Sequence, residues 1–155
     1  MSNKKINVTF DNINDSNISI GNISINKDVV KLSAAGFRQE QDKLDFVKTI
    51  EEVRSLLLEI KSNIEIDHNI NQDKKDDVLL SCFQEINNLK LIKENVKNLP
   101  VGIKPSREES DKINDHLKSN ESFLSKTTRL TNKLLPHIKK GLLLLIKARQ
   151  LFGFP

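Results

Sequence analysis

The sequence predicts a mainly α-helical protein, an antiparallel three- to four-helix bundle preceded by a short N-terminal β hairpin, meander or repeat segment. From residue 42 onward, apolar residues recur at steps of three and four, the spacing of one face of an α-helix. These stretches are about 20 residues long and have short connections between them, as in up-and-down bundles. Before residue 30 the pattern changes to alternating apolar and polar residues, which predicts β-strands.

The most regular part of the N-terminal segment is residues 17–26, which read Asn-Ile-Ser-Ile-Gly-Asn-Ile-Ser-Ile-Asn. A tight turn at Gly21-Asn22 would pair the two halves as strands and place four isoleucines on one face. These isoleucines are Ile18, Ile20, Ile23 and Ile25. An isolated two-stranded hairpin is marginal in water. We therefore expect another part of the chain, or a second copy, to cover the isoleucine face.

The same segment also has a period of five residues, in Asn12-Ile13, Asn17-Ile18 and Asn22-Ile23, which resembles the pentapeptide-repeat pattern of β-solenoids. Three copies are too few for an independent solenoid, because each coil buries its apolar face only against a neighbour. An uncharged apolar strand with asparagines also suits pairing between chains. Three interpretations stay open: a meander packed on the helices, intermolecular β-pairing, and a disordered tail.

We divide the chain into an Asn/Ile-rich assembly segment (1–30), a linker (31–41) and a helical bundle (42–155). The linker is predicted from the small and flexible residues Ser33-Ala34-Ala35-Gly36. Helix one is predicted over about 42–64, with Asp42 as its N-cap. Its apolar stripe consists of Phe46, Ile50, Val53, Leu57, Ile60 and Ile64.

The three later helices are predicted from their stripes and their ends. Helix two should span about 73–98, with Cys82 in its apolar stripe and therefore in the core. Helix three opens with a capping box of Ser106 and Glu109 and continues to about residue 135. Pro136 either kinks that helix or begins a fourth one, which would run to residue 152 with Gly153 as its C-terminal cap. Residues 142–146 are apolar on every side, which predicts central burial or insertion of one face elsewhere.

Charge is unevenly distributed along the chain, whose formal net charge is +4. No acidic residue follows Glu121, so residues 122–155 carry +7 and residues 1–121 carry −3. The last helix therefore resembles a basic membrane-surface helix, although packing in the bundle core is favoured. The residues of this possible membrane or partner surface are Lys139, Lys140, Leu143, Leu144, Lys147 and Arg149.

The sequence contains no pattern typical of catalysis or metal binding. The histidines (His68, His116 and His137) and the single Cys82 lack metal-ligand spacing, and phosphate-binding and nucleophile-elbow motifs are absent. We therefore predict no enzymatic activity and no cofactor. Nucleic acid is disfavoured as a partner, because the basic C-terminal third has few aromatic residues for stacking. A lone cysteine and the lack of a signal peptide favour the cytoplasm, and no apolar run reaches the roughly 18 residues of a membrane span.

Asn12-Ile13, Asn17-Ile18, Gly21-Asn22-Ile23 and Ile25, placed ahead of a small helical domain, resemble a group of bacterial conflict and immune-signalling proteins. In that group, short β motifs template assembly between receptor and effector. The resemblance implies a cytoplasmic adaptor or effector in antiviral defence whose N-terminal segment mediates oligomerisation or pairing with a protein partner. The alternative hypothesis is a membrane-active effector that uses its basic C-terminal helix.

Overall fold

The computed structural model describes residues 36–154, which contain four α-helices joined by short connections. The helices are α1 (Glu40–Ile66), α2 (Gln72–Lys97), α3 (Arg107–Thr127) and α4 (Leu135–Phe152), with a 3₁₀ turn at Asn132–Leu134 ahead of α4. Residues 36–154 contain no β-strand. The prediction of a mainly helical protein is confirmed, whereas the predicted N-terminal hairpin lies outside the described residues.

The four helices pack as an up-and-down bundle in which each helix contacts the next and α4 closes against α1. The direction of α2 relative to α1 is visible in two hydrogen bonds. The Cys82 thiol donates to the Leu57 carbonyl at 3.4 Å, and the Lys75 ammonium donates to the Glu65 carbonyl at 3.2 Å. Because an earlier residue of α2 meets a later residue of α1, the two helices run antiparallel.

The core is built from the apolar stripes of all four helices. The stripe predicted for helix one is buried along its whole length. Burial of this stripe stabilises the bundle, since a fully buried aliphatic or aromatic side chain contributes about 1.5–3 kcal/mol. The largest fully buried side chains are Phe46, Ile50, Leu57, Ile60, Ile64, Leu89, Ile92, Ile113, Leu117, Leu124, Ile138 and Phe152.

Gly141 allows α4 to lie close to α1 and α3. A Cβ atom at this position would lie 2.9 Å from Leu124 Cδ1 and 3.6 Å from Leu56 Cδ2. Leu124 is fully buried and has little room to move. The glycine therefore permits this close packing, at a helix-propensity cost of about 1 kcal/mol relative to alanine.

Two predicted helix ends are confirmed in atomic detail. The Ser106 hydroxyl accepts a hydrogen bond from the Glu109 N–H at 3.1 Å, and the Glu109 carboxylate accepts one from the Ser106 N–H at 2.9 Å. The hydrogen bonds from Ser106 hold the pKa of Glu109 below its ordinary value. At the other end of the chain, Gly153 ends α4 with a φ of 85°, in the left-handed region that favours glycine.

Two other ends differ from the prediction. Helix α1 begins at Glu40, after Gln39, whose side chain makes no capping hydrogen bond. The predicted N-cap, Asp42, lies inside the first turn, where a negative charge still suits the helix dipole. Helix α3 ends at Thr127, about eight residues before the predicted end. The hydroxyls of Thr127 and Thr128 donate to carbonyls of the preceding turn, which competes with continuation of the helix.

Candidate functional site

Helix α4 presents a basic and aliphatic surface to the outside of the bundle. Leu143 lies at its centre and is 67% exposed, and its neighbours three and four residues away in both directions are exposed as well. Residues at these spacings lie side by side on a helix surface. We call these five residues the α4 outer face: Lys139, Lys140, Leu143, Ile146 and Lys147.

The charge of the α4 outer face is unmatched within the described part of the chain. None of its three lysines forms an ion pair or a side-chain hydrogen bond with residues 36–154. Helix α4 itself contains no acidic residue. The face therefore combines a charge of +3 with exposed aliphatic surface, and this combination attracts anionic partners.

The structure places two of the six residues predicted for this surface elsewhere. The Arg149 guanidinium donates to Glu121 at 2.8 and 3.2 Å and to the Asn114 side chain at 2.6 Å, so it joins α4 to α3. Leu144 is half-buried. The prediction missed Ile146, which is 48% exposed and could have been found as the residue three positions after Leu143.

The residues predicted for self-association, Ile18, Ile20, Gly21, Asn22, Ile23 and Ile25, lie outside the described residues. The described chain begins with a short stretch attached to the bundle, which we call the junction (Gly36 and Phe37). The Gly36 N–H donates to the Phe152 carbonyl at 2.6 Å, and the Phe37 carbonyl accepts from the Gly102 N–H at 2.8 Å. The junction is therefore held to the end of α4 and to the α2–α3 connection.

Aromatic packing strengthens the junction. The Phe37 side chain is 2% exposed, and its ring lies edge-on to Phe46 and Phe152, with centroid distances of 5.3 and 5.0 Å. Edge-to-face pairs at this distance add stability beyond simple area burial. Gly36 has a φ of 110°, and a Cβ atom there would lie 2.8 Å from Pro105 Cδ. Position 36 thus requires glycine for both its conformation and its close packing.

The junction lies within the segment that the sequence predicted as the 31–41 linker. From Gly36 onward this segment is packed, and α1 already begins at Glu40. The burial of Phe37 was not predicted from the sequence, because its neighbours are small or polar. The available signal was a single large aromatic residue three positions before a helix, since phenylalanine is among the residues most often fully buried.

A buried carboxylate joins α2 to α3. Glu85 is 9% exposed and accepts hydrogen bonds from the Ser119 hydroxyl at 2.6 Å and from the Asn120 side-chain amide at 3.0 Å. A third donor, the Asn88 side-chain amide, lies at 3.2 Å on Glu85's own helix. Three donors compensate the carboxylate for its lost hydration. We interpret these hydrogen bonds as contacts that fix the position of α2 relative to α3.

His137 lies 3.5 Å from Glu59, with its Nε2 atom towards the Glu59 Oε1 atom. Beside it is a groove of about 290 Å³ lined in part by Asn63, Thr131 and Lys133. Base catalysis would need the second ring nitrogen to reach a nucleophile. That nitrogen, Nδ1, is buried and forms no hydrogen bond with the described residues. The pair therefore provides no base–nucleophile arrangement within residues 36–154.

Cys82 is fully buried, which confirms its predicted core position. Burial raises its pKa from 9.0 to about 12. The folded protein thus keeps the thiol proton at pH values where the unfolded chain loses it, so stability is complete below about pH 9 and falls as the pH rises towards 12. We expect a loss of about 1.4 kcal/mol at pH 10.

This pH prediction is measured by urea unfolding at pH 8 and pH 10 in wild type and in Cys82→Ala. The alanine variant serves as the control, because it retains every other group that titrates in this range. The decrease in unfolding free energy between the two pH values should be about 1.4 kcal/mol smaller in the variant. Equal decreases would contradict the assignment.

Within residues 36–154, no group of three or more His, Cys, Asp or Glu side chains is placed to hold a metal ion. None of the helices in this part of the chain is long and apolar enough to cross a membrane. Comparisons with protein-family models, with curated proteins and with solved structures give no match.

Proposed function

We propose that this protein is a non-enzymatic, self-associating adaptor or effector. Residues 1–30 pair between copies, or with a similar segment of a protein partner, and the helical bundle engages a further partner once copies are gathered. The isoleucine pattern of residues 17–26 supports the pairing, because an uncharged apolar strand without proline is suited to edge-to-edge association.

The isoleucine pattern of residues 17–26 is the observation that carries this proposal, and the junction marks where the described chain meets the bundle. Here Gly36 is hydrogen-bonded to the end of α4, and Phe37 is buried against the core two residues before the N-cap of α1. Residue 36 therefore has a fixed place on the bundle, beside the end of α4.

The α4 outer face is the surface that best suits engagement of a partner. It belongs to the helix whose end holds the junction, since Phe152 contacts Phe37 while Leu143 lies farther up α4 on the outside. In this proposal, the bundle engages its further partner through this face.

The substitution Ile20→Lys in the full chain is expected to abolish self-association and leave the helices folded. A lysine on the isoleucine face would place a charge where apolar burial is required, and an unpaired buried charge is strongly unfavourable. Size-exclusion chromatography with light scattering measures the assembly, and circular dichroism measures the helices. Ser24→Lys introduces the same charge on the predicted polar face and should preserve assembly. Assembly that survives Ile20→Lys would refute the proposal.

A second candidate function is a membrane-active effector in which α4 leaves the bundle and inserts into a bilayer. The exposed lysines and aliphatic residues of the α4 outer face favour it. The opposite side of α4 weighs against it, because Ile138, Leu145 and Phe152 are fully buried. Removing α4 from the bundle would uncover their core partners on the other helices, at a cost of about 1.5–3 kcal/mol for each large apolar side chain exposed to water, a large share of a typical domain's stability. Vesicle leakage that depends on Leu143 and Leu144 would support this function.

A further inference from the structure

We propose that the α4 outer face docks the intact bundle on an anionic phospholipid bilayer. The inference rests on the proposed function, because it names the partner that the bundle engages through this face. It differs from membrane insertion, because α4 stays in the bundle and only its outward side chains enter the headgroup region.

The first argument is electrostatic. Lys139, Lys140 and Lys147 are exposed, carry no ion pair with the described residues, and lie on a helix without acidic residues. Each lysine near an anionic lipid surface strengthens binding about fivefold, so that three give roughly a hundredfold. The charge of Arg149 adds little to this sum, since Glu121 already pairs with it.

The second argument is the position of the aliphatic side chains. Leu143 has Lys139 and Lys140 one turn before it and Lys147 one turn after it, and Ile146 continues the apolar surface. In an interfacial helix, apolar side chains enter the acyl boundary while lysine stems extend outward to the phosphates. An aliphatic centre with lysines around it reproduces that arrangement on the outside of a folded bundle.

The same residues favour a bilayer over other anionic partners. Nucleic-acid surfaces commonly use arginines and aromatic rings for stacking, and the α4 outer face contains neither. Exposed Leu143 would gain nothing from a phosphate backbone, whereas it is buried when the face meets lipid.

The folded bundle can dock without rearrangement. The side chains that hold α4 in the core lie on its inner side, and Gly141 and Leu145 there are buried. Docking uses only the outer side, so the core contacts remain in place. Three lysines and two aliphatic residues make a weak site in one copy, and an assembly that presents several copies would bind more tightly through avidity.

The experiment measures co-sedimentation of the full chain with vesicles of phosphatidylcholine and phosphatidylserine, and with vesicles of phosphatidylcholine alone. The test variant is the triple substitution Lys139→Gln, Lys140→Gln and Lys147→Gln. We expect its partition onto the anionic vesicles to fall roughly a hundredfold. In the wild type, binding to phosphatidylcholine alone should be weaker by a similar factor.

A matched control removes three exposed lysines from α2, which lies diagonally across the bundle from α4. The triple substitution Lys74→Gln, Lys90→Gln and Lys97→Gln makes the same change in net charge and should leave partitioning within about twofold of wild type. Leu143→Ser tests the aliphatic contribution and should weaken binding without a change in charge. Circular dichroism should show unchanged helices in every variant, because all substituted residues are exposed.

Equal losses in the two triple variants would overturn the proposal, since binding would then follow net charge alone. Absence of wild-type binding to anionic vesicles would overturn it too, as would binding only to an acidic peptide or to nucleic acid. Light scattering on the same samples reports self-association separately. A monomeric wild type that still loses binding in the α4 triple variant would refute self-association and support docking.

Discussion

Phe152→Ala is expected to lower the free energy of unfolding of the full chain by about 3–5 kcal/mol. Phe152 is fully buried at the end of α4, and its ring packs against Phe37, Phe46 and Phe154 at centroid distances of 5.0, 5.9 and 4.8 Å. Alanine would remove these contacts and leave a cavity, because neighbouring helices held by their own core contacts relax only partially.

Urea unfolding followed by circular dichroism measures this loss, and Phe83→Ala is the matched control. Phe83 is 63% exposed on α2, so the same chemical change there should alter stability by no more than about 0.5 kcal/mol. A Phe152→Ala effect as small as that of the control would show that the aromatic cluster does not stabilise the bundle.

Phe152→Ala also tests the junction. The ring of Phe37 loses one of its two edge-to-face partners when Phe152 is removed. Amide hydrogen exchange at Gly36, whose N–H donates to the Phe152 carbonyl, should then accelerate more than exchange at the centre of α1. Equal acceleration at both places would indicate a global loss of stability without a specific effect on the junction.

Glu85→Ala is expected to lower the free energy of unfolding by about 3 kcal/mol. The carboxylate accepts from Ser119, Asn120 and Asn88, and its removal leaves these donors without their acceptor. Asn120 is fully buried, and its side-chain oxygen already has no hydrogen-bond partner within the described residues. Its amide would keep only the bond to the His116 carbonyl.

A double-mutant cycle with Glu85→Ala and Ser119→Ala isolates the shortest bond of this cluster. We expect a coupling energy of about 1.5–3 kcal/mol, the range for hydrogen bonds to charged groups. Glu94→Ala removes an exposed carboxylate from the same helix and should change stability by no more than about 0.5 kcal/mol. A coupling energy near zero would mean that the cluster does not contribute to the alignment of α2 with α3.

Features that depend on neighbours within a few residues could be predicted before the structure was known. The stripe of helix one, the Ser106–Glu109 capping box and the Gly153 cap all appear as predicted. Each is set by the helical period or by the hydrogen-bonding needs of a helix end, and both can be read in a short window. The core position of Cys82 followed from the same periodicity.

Features that depend on contacts between distant segments required the packed helices. Phe37 is packed because Phe152 and Phe46 lie beside it, although its neighbours in sequence resemble a linker. Arg149 leaves the α4 outer face because Glu121 and Asn114 on α3 provide its partners. Helical periodicity shows which residues lie on the same face of a helix. Which of those residues remain exposed depends on the neighbouring helices that pack against that face. For this reason the bundle could be predicted from the sequence, while the junction and the limits of the partner surface required the packed structure.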